Sequence, residues 1–241
     1  MDLQLKGKSV LVTGGSKGIG LACAKSFAAE GCRIHIASRS KDNLDKAKSL
    51  LGDAQIHIAD LRDGAALKKL AAECGDIDIL VNNAGDIPGG TLESLDEAKW
   101  RHAWELKLFG YINLTREMYT RMKARRTGVI VNIIGMAGEH PTFEYICGST
   151  ANAGLASFTK SLGKGSLKDG IRVVGLHPPS TRTDRIVTLM KAQAKAKFGD
   201  ESRFEELMGN VIEPAQVADT AVFLASPRAG QLSGVVLNLG T

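Results

Sequence analysis

The first segment whose residues could do chemistry is a glycine-rich turn, TGGSKGIG, at residues 13–20. It follows a short β-branched run at 9–12 and precedes apolar residues at helical spacing, so a buried strand is expected to turn into a helix near Gly18. Such a turn leaves backbone N–H groups unpaired at the positive end of the helix dipole, where phosphate binds. Glycine lets a pyrophosphate approach closely. The turn predicts a nucleotide site, and a tight connection without a ligand is the alternative.

Two later segments resemble loops of a known family. The glycine spacing of the turn, the tetrapeptide NNAG at 82–85 and the loop HPPSTRT at 177–183 resemble the cofactor motifs of the short-chain dehydrogenase/reductase (SDR) family. In the last loop Pro179 replaces the family's glycine. The resemblance covers nearly the whole chain and implies a nicotinamide dinucleotide cofactor. The cofactor contacts expected from the motifs are Gly14, Ser16, Lys17, Gly18, Ile19, Gly20, Ser38, Arg39, Asp60, Leu61, Asn82, Ala84, Gly85, Pro178 and Thr183.

The end of the predicted second strand, 33–39, bears on which cofactor is accepted. An NAD-specific site places a carboxylate there, because Asp or Glu hydrogen-bonds the free ribose 2′-hydroxyl. This chain has Ser38 and Arg39 instead, and Lys17 adds a cation on the same side. We therefore expect NADP(H) to be favoured over NAD(H). The alternative is that both cations are solvated surface residues.

Family members move a proton with four side chains: tyrosine, lysine, serine and asparagine. Aligning residues 153–155 and the following helix with the family pattern places these positions, in that order, at Gly148, Asn152, Gly135 and Lys107. All four are substituted. The usual proton transfer cannot operate, since glycine has no proton to give and asparagine has no charge.

We therefore ask whether the function has moved to neighbouring residues. Tyr145 would lie about 4.5 Å from position 148 if the helix begins a turn early, but about 10 Å away if the segment is extended. The hypothesis is that Tyr145 donates the proton and Lys107 is its electrostatic partner. Asn152, His140 and Glu144 are further polar candidates. The alternative is that Tyr145 is only a wall of the pocket.

The elements that must position these groups alternate between apolar runs and amphipathic segments. This pattern predicts an α/β fold, a Rossmann-type doubly wound parallel sheet of about seven strands with six helical crossovers. We expect one domain over 1–241, with a substrate lid at about 184–208. The predicted strands are 9–12, 33–39, 55–59, 77–81, 128–134, 171–176 and 234–239. The later predicted helices are 95–126, 148–168, 184–207 and 214–225.

Composition limits the partners. The net charge is +5, but the basic residues are scattered among 26 acidic residues, so we expect no nucleic acid partner. No segment approaches the roughly 18 apolar residues of a membrane span, and a cytoplasmic protein is expected. The four cysteines lack metal-binding or disulfide spacing, and His35 and His57 alternate within strands. We therefore predict no metal site and a structural role for both histidines.

Three functions remain open at this point. The first is an NADP(H)-dependent oxidoreductase that interconverts a carbonyl and an alcohol with an atypical proton-transfer site. The second is an NADP(H)-binding protein without redox turnover, and the third is non-redox chemistry in the reused cleft. The substrate is expected to be a small molecule. Cations at 191–203 recognise an acidic substrate or form a solvated helix face. The long helices at 95–126 and 148–168 match the dimer faces of the family and predict a homodimer or homotetramer.

Overall fold

The centre of the molecule is a parallel β-sheet in the computed structural model, which describes residues 2–240. The strands are β1 (Ser9–Thr13), β2 (Arg33–Ser38), β3 (Gln55–Ile58), β4 (Ile79–Asn82), β5 (Gly128–Ile133), β6 (Ile171–His177) and β7 (Val235–Asn238). Their order is β3-β2-β1-β4-β5-β6-β7, so the winding reverses between β1 and β4. The predicted doubly wound α/β sheet is confirmed.

Helices cover both faces of this sheet. All residues of β1 and β4 are buried, as expected of parallel strands that are packed on both faces. The helices are α1 (Gly18–Ala29), α2 (Lys41–Leu51), α3 (Gly64–Cys74), α4 (Glu97–Trp104), α5 (Gly110–Arg125), α6 (Ile146–Ser166), α7 (Asp184–Phe198), α8 (Glu205–Met208) and α9 (Pro214–Ala225). The start of α1 and both bounds of α9 agree with the sequence prediction. One apolar cluster packs α1 and α9 against the sheet, and a second packs α3 and α5 on the opposite face.

Two predicted helices differ from the prediction. The segment 95–126 is not one regular helix, because a π-helical turn, Glu105–Phe109, separates α4 from α5. Such turns insert a residue into the helical ladder and often occur at functional sites. The segment 184–207 is interrupted where α7 ends at Phe198, because the C-cap residue Gly199 has a left-handed conformation with φ of 73°. A short 3-10 turn and α8 follow, and the role of this segment as a lid stays a prediction.

Among residues 2–240, none of the helices combines the length and the hydropathy needed to cross a bilayer.

Candidate active site

A cleft runs along the carboxyl ends of the strands. It lies where the strand order reverses between β1 and β4. It contains two neighbouring cavities that share Gly85 and Asp86. We call the cavity of about 270 Å³ beside the glycine-rich turn the turn-side cavity, and the one of about 220 Å³ beyond it the inner cavity. Ligands of open α/β sheets bind in this kind of crevice.

The predicted site residues divide between the two cavities. The turn-side cavity is lined by Gly14, Ser16, Lys17, Ser38, Arg39, Leu61, Ala84 and Gly85. The inner cavity is lined by Ile19, Gly85, Lys107, Gly135, Tyr145, Asn152, Pro178 and Thr183. Residues that line neither cavity are Gly18, Gly20, Asp60, Asn82 and Gly148.

The glycine-rich turn has the backbone that a phosphate cradle requires. Gly14 and Gly18 have φ of 63° and 52°, a region that residues with a Cβ rarely adopt. A Cβ on Gly20 would overlap the carbonyl oxygen of Gly14, so the helix could not pack this closely against the turn. Lys17, the N-cap of α1, makes no capping bond with its side chain. The first amides of α1 thus have no side-chain cap there, which fits a dinucleotide phosphate.

The far end of the turn-side cavity carries the two cations. The side chains of Lys17 and Arg39 are exposed at its rim. Between them, the Ser16 hydroxyl donates a hydrogen bond to the Ser38 hydroxyl at 3.1 Å. Asp60 lies outside this cavity, and its carboxylate is 3.4 Å from the guanidinium of Arg62. The predicted contact of Asp60 with a nucleotide therefore stays a prediction.

Asn82 belongs to the sheet rather than to a cavity wall. It is buried, and its amide donates to the Thr115 hydroxyl and to Oδ1 of Asn132, both at 3.0 Å. These bonds join β4 to β5 and α5. Thr183 has a local role as well, since its hydroxyl accepts from the amide of Ile186 at 3.4 Å and caps α7.

Tyr145 occupies the space above Gly148 in the inner cavity. It is the N-cap of α6, and its carbonyl accepts from the amide of Ser149 at 2.9 Å, so the helix begins directly after it. Its ring folds back over Gly148, and a Cβ at Gly148 would overlap Cε1 and Cζ of the ring. Glycine at 148 is therefore the residue that admits the Tyr145 ring. Of the two arrangements considered from the sequence, this one resembles the helix that begins a turn early.

Gly135 and Asn152 are neighbours on the opposite wall. Gly135 has φ of 127°, and a Cβ built there would lie 2.9 Å from Nδ2 of Asn152. The side chain of Asn152 is 4% exposed, and its Oδ1 is buried without a hydrogen-bond partner among the described residues. The carbonyl of Gly135 is held in turn by Nδ1 of His177 at 2.6 Å. A buried acceptor without a partner is uncommon in proteins, which makes Asn152 a candidate polar group of the site.

Lys107 is the buried cation of the inner cavity. Only 9% of the residue is exposed, and Nζ donates to the Tyr111 hydroxyl at 3.2 Å and to the Ile133 carbonyl at 2.9 Å. Within residues 2–240, no carboxylate forms an ion pair with it. Burial, and then the positive charge of Arg185, lower the pKa of Lys107 to about 7. A buried, unpaired amine that titrates near neutrality is suited to proton transfer.

Tyr145 has the opposite shift. Burial raises the pKa of its hydroxyl above the ordinary value, and the charge of Arg185 opposes that rise only in part. In the described part of the chain, the hydrogen bonds of Lys107 go to Tyr111 and Ile133 rather than to Tyr145. The electrostatic pairing of Tyr145 with Lys107 thus stays a prediction.

Arg185 and Asp86 are cavity residues that the sequence reasoning missed. Arg185 donates to the Ile87 carbonyl at 2.7 Å, and its guanidinium lies 3.7 Å from the Asp86 carboxylate. Asp86 directly follows the NNAG motif, and Arg185 comes two residues after Thr183, so nearness to the motifs was the available signal. His140 and Glu144 are exposed and line neither cavity.

The fold and the cleft define a nucleotide-binding α/β protein of the Rossmann type. The family model for short chain dehydrogenases matches residues 8–194. The chain belongs to this family.

Individual relatives cover almost the whole chain. An uncharacterized oxidoreductase of Bacillus subtilis, YvrD, is 32% identical over 97% of this chain and 95% of its own length. The 2,3-dihydro-2,3-dihydroxybenzoate dehydrogenase of the same organism is 30% identical over 95% and 93%. L-sorbose reductase from Gluconobacter frateurii, solved with NADPH and L-sorbose, superposes with a TM-score of 0.94 at 28% identity and covers 99% of this chain and 97% of its own.

Proposed function

We propose that the protein is an NADP(H)-dependent oxidoreductase that interconverts a carbonyl and an alcohol, with Lys107 carrying the proton. The observation behind this proposal is the buried lysine of the inner cavity, which has no carboxylate partner among residues 2–240, next to a glycine cradle suited to phosphate. Burying an uncompensated charge is costly, so a position that keeps one is a candidate for function. The names of the relatives, a reductase solved with NADPH among them, support the oxidoreductase class.

The cofactor would be held by groups that are already in place. The amides of the glycine-rich turn and of the first turn of α1 would bind the pyrophosphate. Lys17 and Arg39 would bind the ribose 2′-phosphate, which favours NADP(H) over NAD(H). When bound, the nicotinamide supplies or accepts a hydride.

The proton is assigned to Lys107 rather than to Tyr145. Two of the three N–H bonds of the ammonium are used, by Tyr111 and by the Ile133 carbonyl, which leaves the third for a substrate oxygen. A donor is most effective when its pKa is near the operating pH, and Lys107 at about 7 meets this condition. Tyr145, with its raised pKa, is a neutral hydrogen-bond donor that orients the substrate. Asn152 would turn its Oδ1 toward the inner cavity to accept a hydrogen bond from a substrate hydroxyl.

The test is NADPH binding together with NADPH consumption over a panel of aldehydes and ketones. Lys107→Met is expected to lower kcat by roughly 10²–10⁴-fold, the usual contribution of a general acid. Its NADPH Kd should change much less than kcat, because the proposed phosphate contacts lie in the turn-side cavity, which Lys107 does not line. Tyr145→Phe should raise KM with a smaller loss in kcat. His140→Gln is the matched control, since His140 is exposed and outside both cavities.

The outcomes separate the three functions considered from the sequence. NADPH binding with turnover that Lys107→Met abolishes supports the proposal. Tight binding without turnover of any carbonyl contradicts it and supports a binding protein. Absence of NADPH binding contradicts the proposed cofactor as well as the proposed turnover, and it supports non-redox chemistry. Equal turnover in Lys107→Met and the native chain overturns the assignment of the proton.

We propose a substrate lid over 184–208, within one domain, and a homodimer or homotetramer formed through the faces of α4, α5 and α6. Light scattering in solution measures the second proposal directly.

A further inference from the structure

A buried group of three potential metal ligands lies on β2, β3 and α3, and its residues line neither cavity of the cleft. His35 is on β2, His57 is on the edge strand β3, and Cys74 is the last residue of α3. Their exposed fractions are 5%, 7% and 7%. The residues are separated by 22 and 17 positions in the sequence, so no local spacing motif announces the cluster.

The distances within this cluster match a tetrahedral metal site. Nδ1 of His35 lies 3.1 Å from Nε2 of His57, and Sγ of Cys74 lies 3.5 Å from the same Nε2. All three ligand atoms are within 4.8 Å of one another. Zinc bound at about 2.1 Å to nitrogen and about 2.3 Å to sulfur holds neighbouring ligand atoms about 3.3–3.6 Å apart in a tetrahedron. The observed spacings thus require only small side-chain adjustments around an ion.

Glu73 completes the arrangement from outside. Its Oε2 lies 3.3 Å from Nδ1 of His57, on the ring nitrogen that points away from the cluster. A carboxylate at that nitrogen accepts its proton in a hydrogen bond, which leaves the lone pair of Nε2 directed at His35 and Cys74. This is how metal-binding histidines are oriented in proteins. Glu73 is itself 45% exposed, so the cluster has a nearby route to solvent.

Ligation requires Cys74 as the thiolate and an unprotonated ring nitrogen on each of the two imidazoles. An ion bound here releases the thiol proton to solvent and forms one metal–sulfur and two metal–nitrogen bonds.

We propose that His35, His57 and Cys74 bind one divalent transition metal ion of the zinc class, with a water molecule as fourth ligand and Glu73 in the outer shell. Two imidazoles and one thiolate select such a metal over magnesium or calcium. The ion would join β2, β3 and α3 at the edge of the sheet. Its role would be structural, and it does not depend on the proposed redox function.

The test is a cobalt titration of the full chain after treatment with a chelator and gel filtration. We expect uptake of about one Co²⁺ per chain with a thiolate charge-transfer band in the near ultraviolet and visible bands of a tetrahedral ion, both removed by Zn²⁺. Zinc should also raise the Tm, because it binds only the folded chain. Glu73→Gln should weaken binding by about 10–100-fold, as outer-shell changes do.

Matched variants identify the site. Cys74→Ser should remove the charge-transfer band, whereas Cys32→Ser, a half-buried thiol on another part of the chain, should keep it. His57→Gln should abolish uptake, and the exposed His102→Gln should not. Absence of metal uptake by the native chain overturns the proposal without reference to any variant. A spectrum unchanged in Cys74→Ser also overturns it and leaves the cluster as a hydrogen-bonded part of the core.

Discussion

The turn-side cavity and the inner cavity of the cleft are built from different kinds of chemical group. The phosphate cradle of the turn-side cavity is one continuous turn of backbone groups, and the cations of this cavity are exposed at its rim. The inner cavity is formed by residues from six separate segments, with a buried cation, Lys107, and a tyrosine ring over a glycine. A phosphate site of the first kind depends on backbone geometry, and the turn has that geometry. A proton-transfer site of the second kind can be formed by different residues, because a ring or an amine can reach the same space from a neighbouring position in the chain.

The largest expected effect comes from a substitution that disrupts only the turn-side cavity. Gly20→Ala places a Cβ against the carbonyl of Gly14 and Nδ2 of Asn83, both held by the surrounding turn. We expect loss of stability of about 1–3 kcal/mol from overpacking and loss of measurable NADPH binding. Chemical denaturation and fluorescence titration with NADPH measure the two effects.

The control for that prediction is another glycine in a helix. A Cβ at Gly165, in α6, meets nothing within 4 Å. Gly165→Ala should therefore leave binding unchanged and stabilise the chain by about 0.5–1 kcal/mol. Normal NADPH affinity in Gly20→Ala would show that the turn is not the phosphate site.

The second prediction concerns the inner end and uses pH. The pKa of Lys107 is about 7 when folded and 10.5 as an ordinary lysine. Between these values the unfolded chain binds a proton that the folded chain lacks, so this group makes stability rise with pH. Below pH 7 both states are charged and the burial penalty is complete. Lys107→Met should therefore be more stable than the native chain at pH 6, on the order of 1–3 kcal/mol.

That difference should shrink as pH rises from about 7 to 10.5. Tyr111 still donates to the Ile133 carbonyl at 3.0 Å without the lysine, so the variant leaves that carbonyl satisfied. Urea unfolding at several pH values gives the comparison, with the exposed Lys25→Met as control. A constant difference across this range would show that Lys107 does not titrate in the folded chain as its burial implies.

The third prediction tests whether the position of the Tyr145 ring requires glycine at residue 148. Gly148→Ala should destabilise the native chain by about 1–2 kcal/mol, because the new Cβ overlaps the ring. In a Tyr145→Ala background the same change should be neutral or stabilising. The double-mutant cycle should give a coupling energy of about 0.5–3 kcal/mol, as for residues in contact. Additive effects would mean that the ring does not occupy this space in solution.

The contrast between the two ends also explains what the sequence could predict. The sheet, the start of α1 at Gly18 and the cradle follow from local patterns, because glycine spacing and hydrophobic periodicity act within about ten residues. The inner cavity depends on contacts between distant segments. The sequence placed Tyr145 near position 148 but left its conformation open, since the start of α6 decides it. The π-helical turn at Lys107 has no recognisable sequence signal.

The cluster of His35, His57 and Cys74 shows the same limit more strongly. From the sequence, each of the three residues is consistent with a structural role, because the histidines alternate within strands and the cysteine ends a helix. Only the pairing of β2 with β3, which sets Ala37 beside His57, brings the two rings together. Spacing rules detect sites built within one segment, and this cluster is assembled from three.

The smallest expected effect returns to the turn side, where the cations are exposed. Lys17→Ala and Arg39→Ala should each weaken NADPH binding by about tenfold, or about 1.4 kcal/mol, and leave NADH binding nearly unchanged. The effect is modest because water and salt screen exposed charges, so it should also decrease at high ionic strength. Lys25→Ala on α1 is the control, being exposed but outside the cavity. Equal losses for NADPH and NADH would assign both cations to the pyrophosphate, and unchanged affinity for both cofactors would make them solvated surface residues.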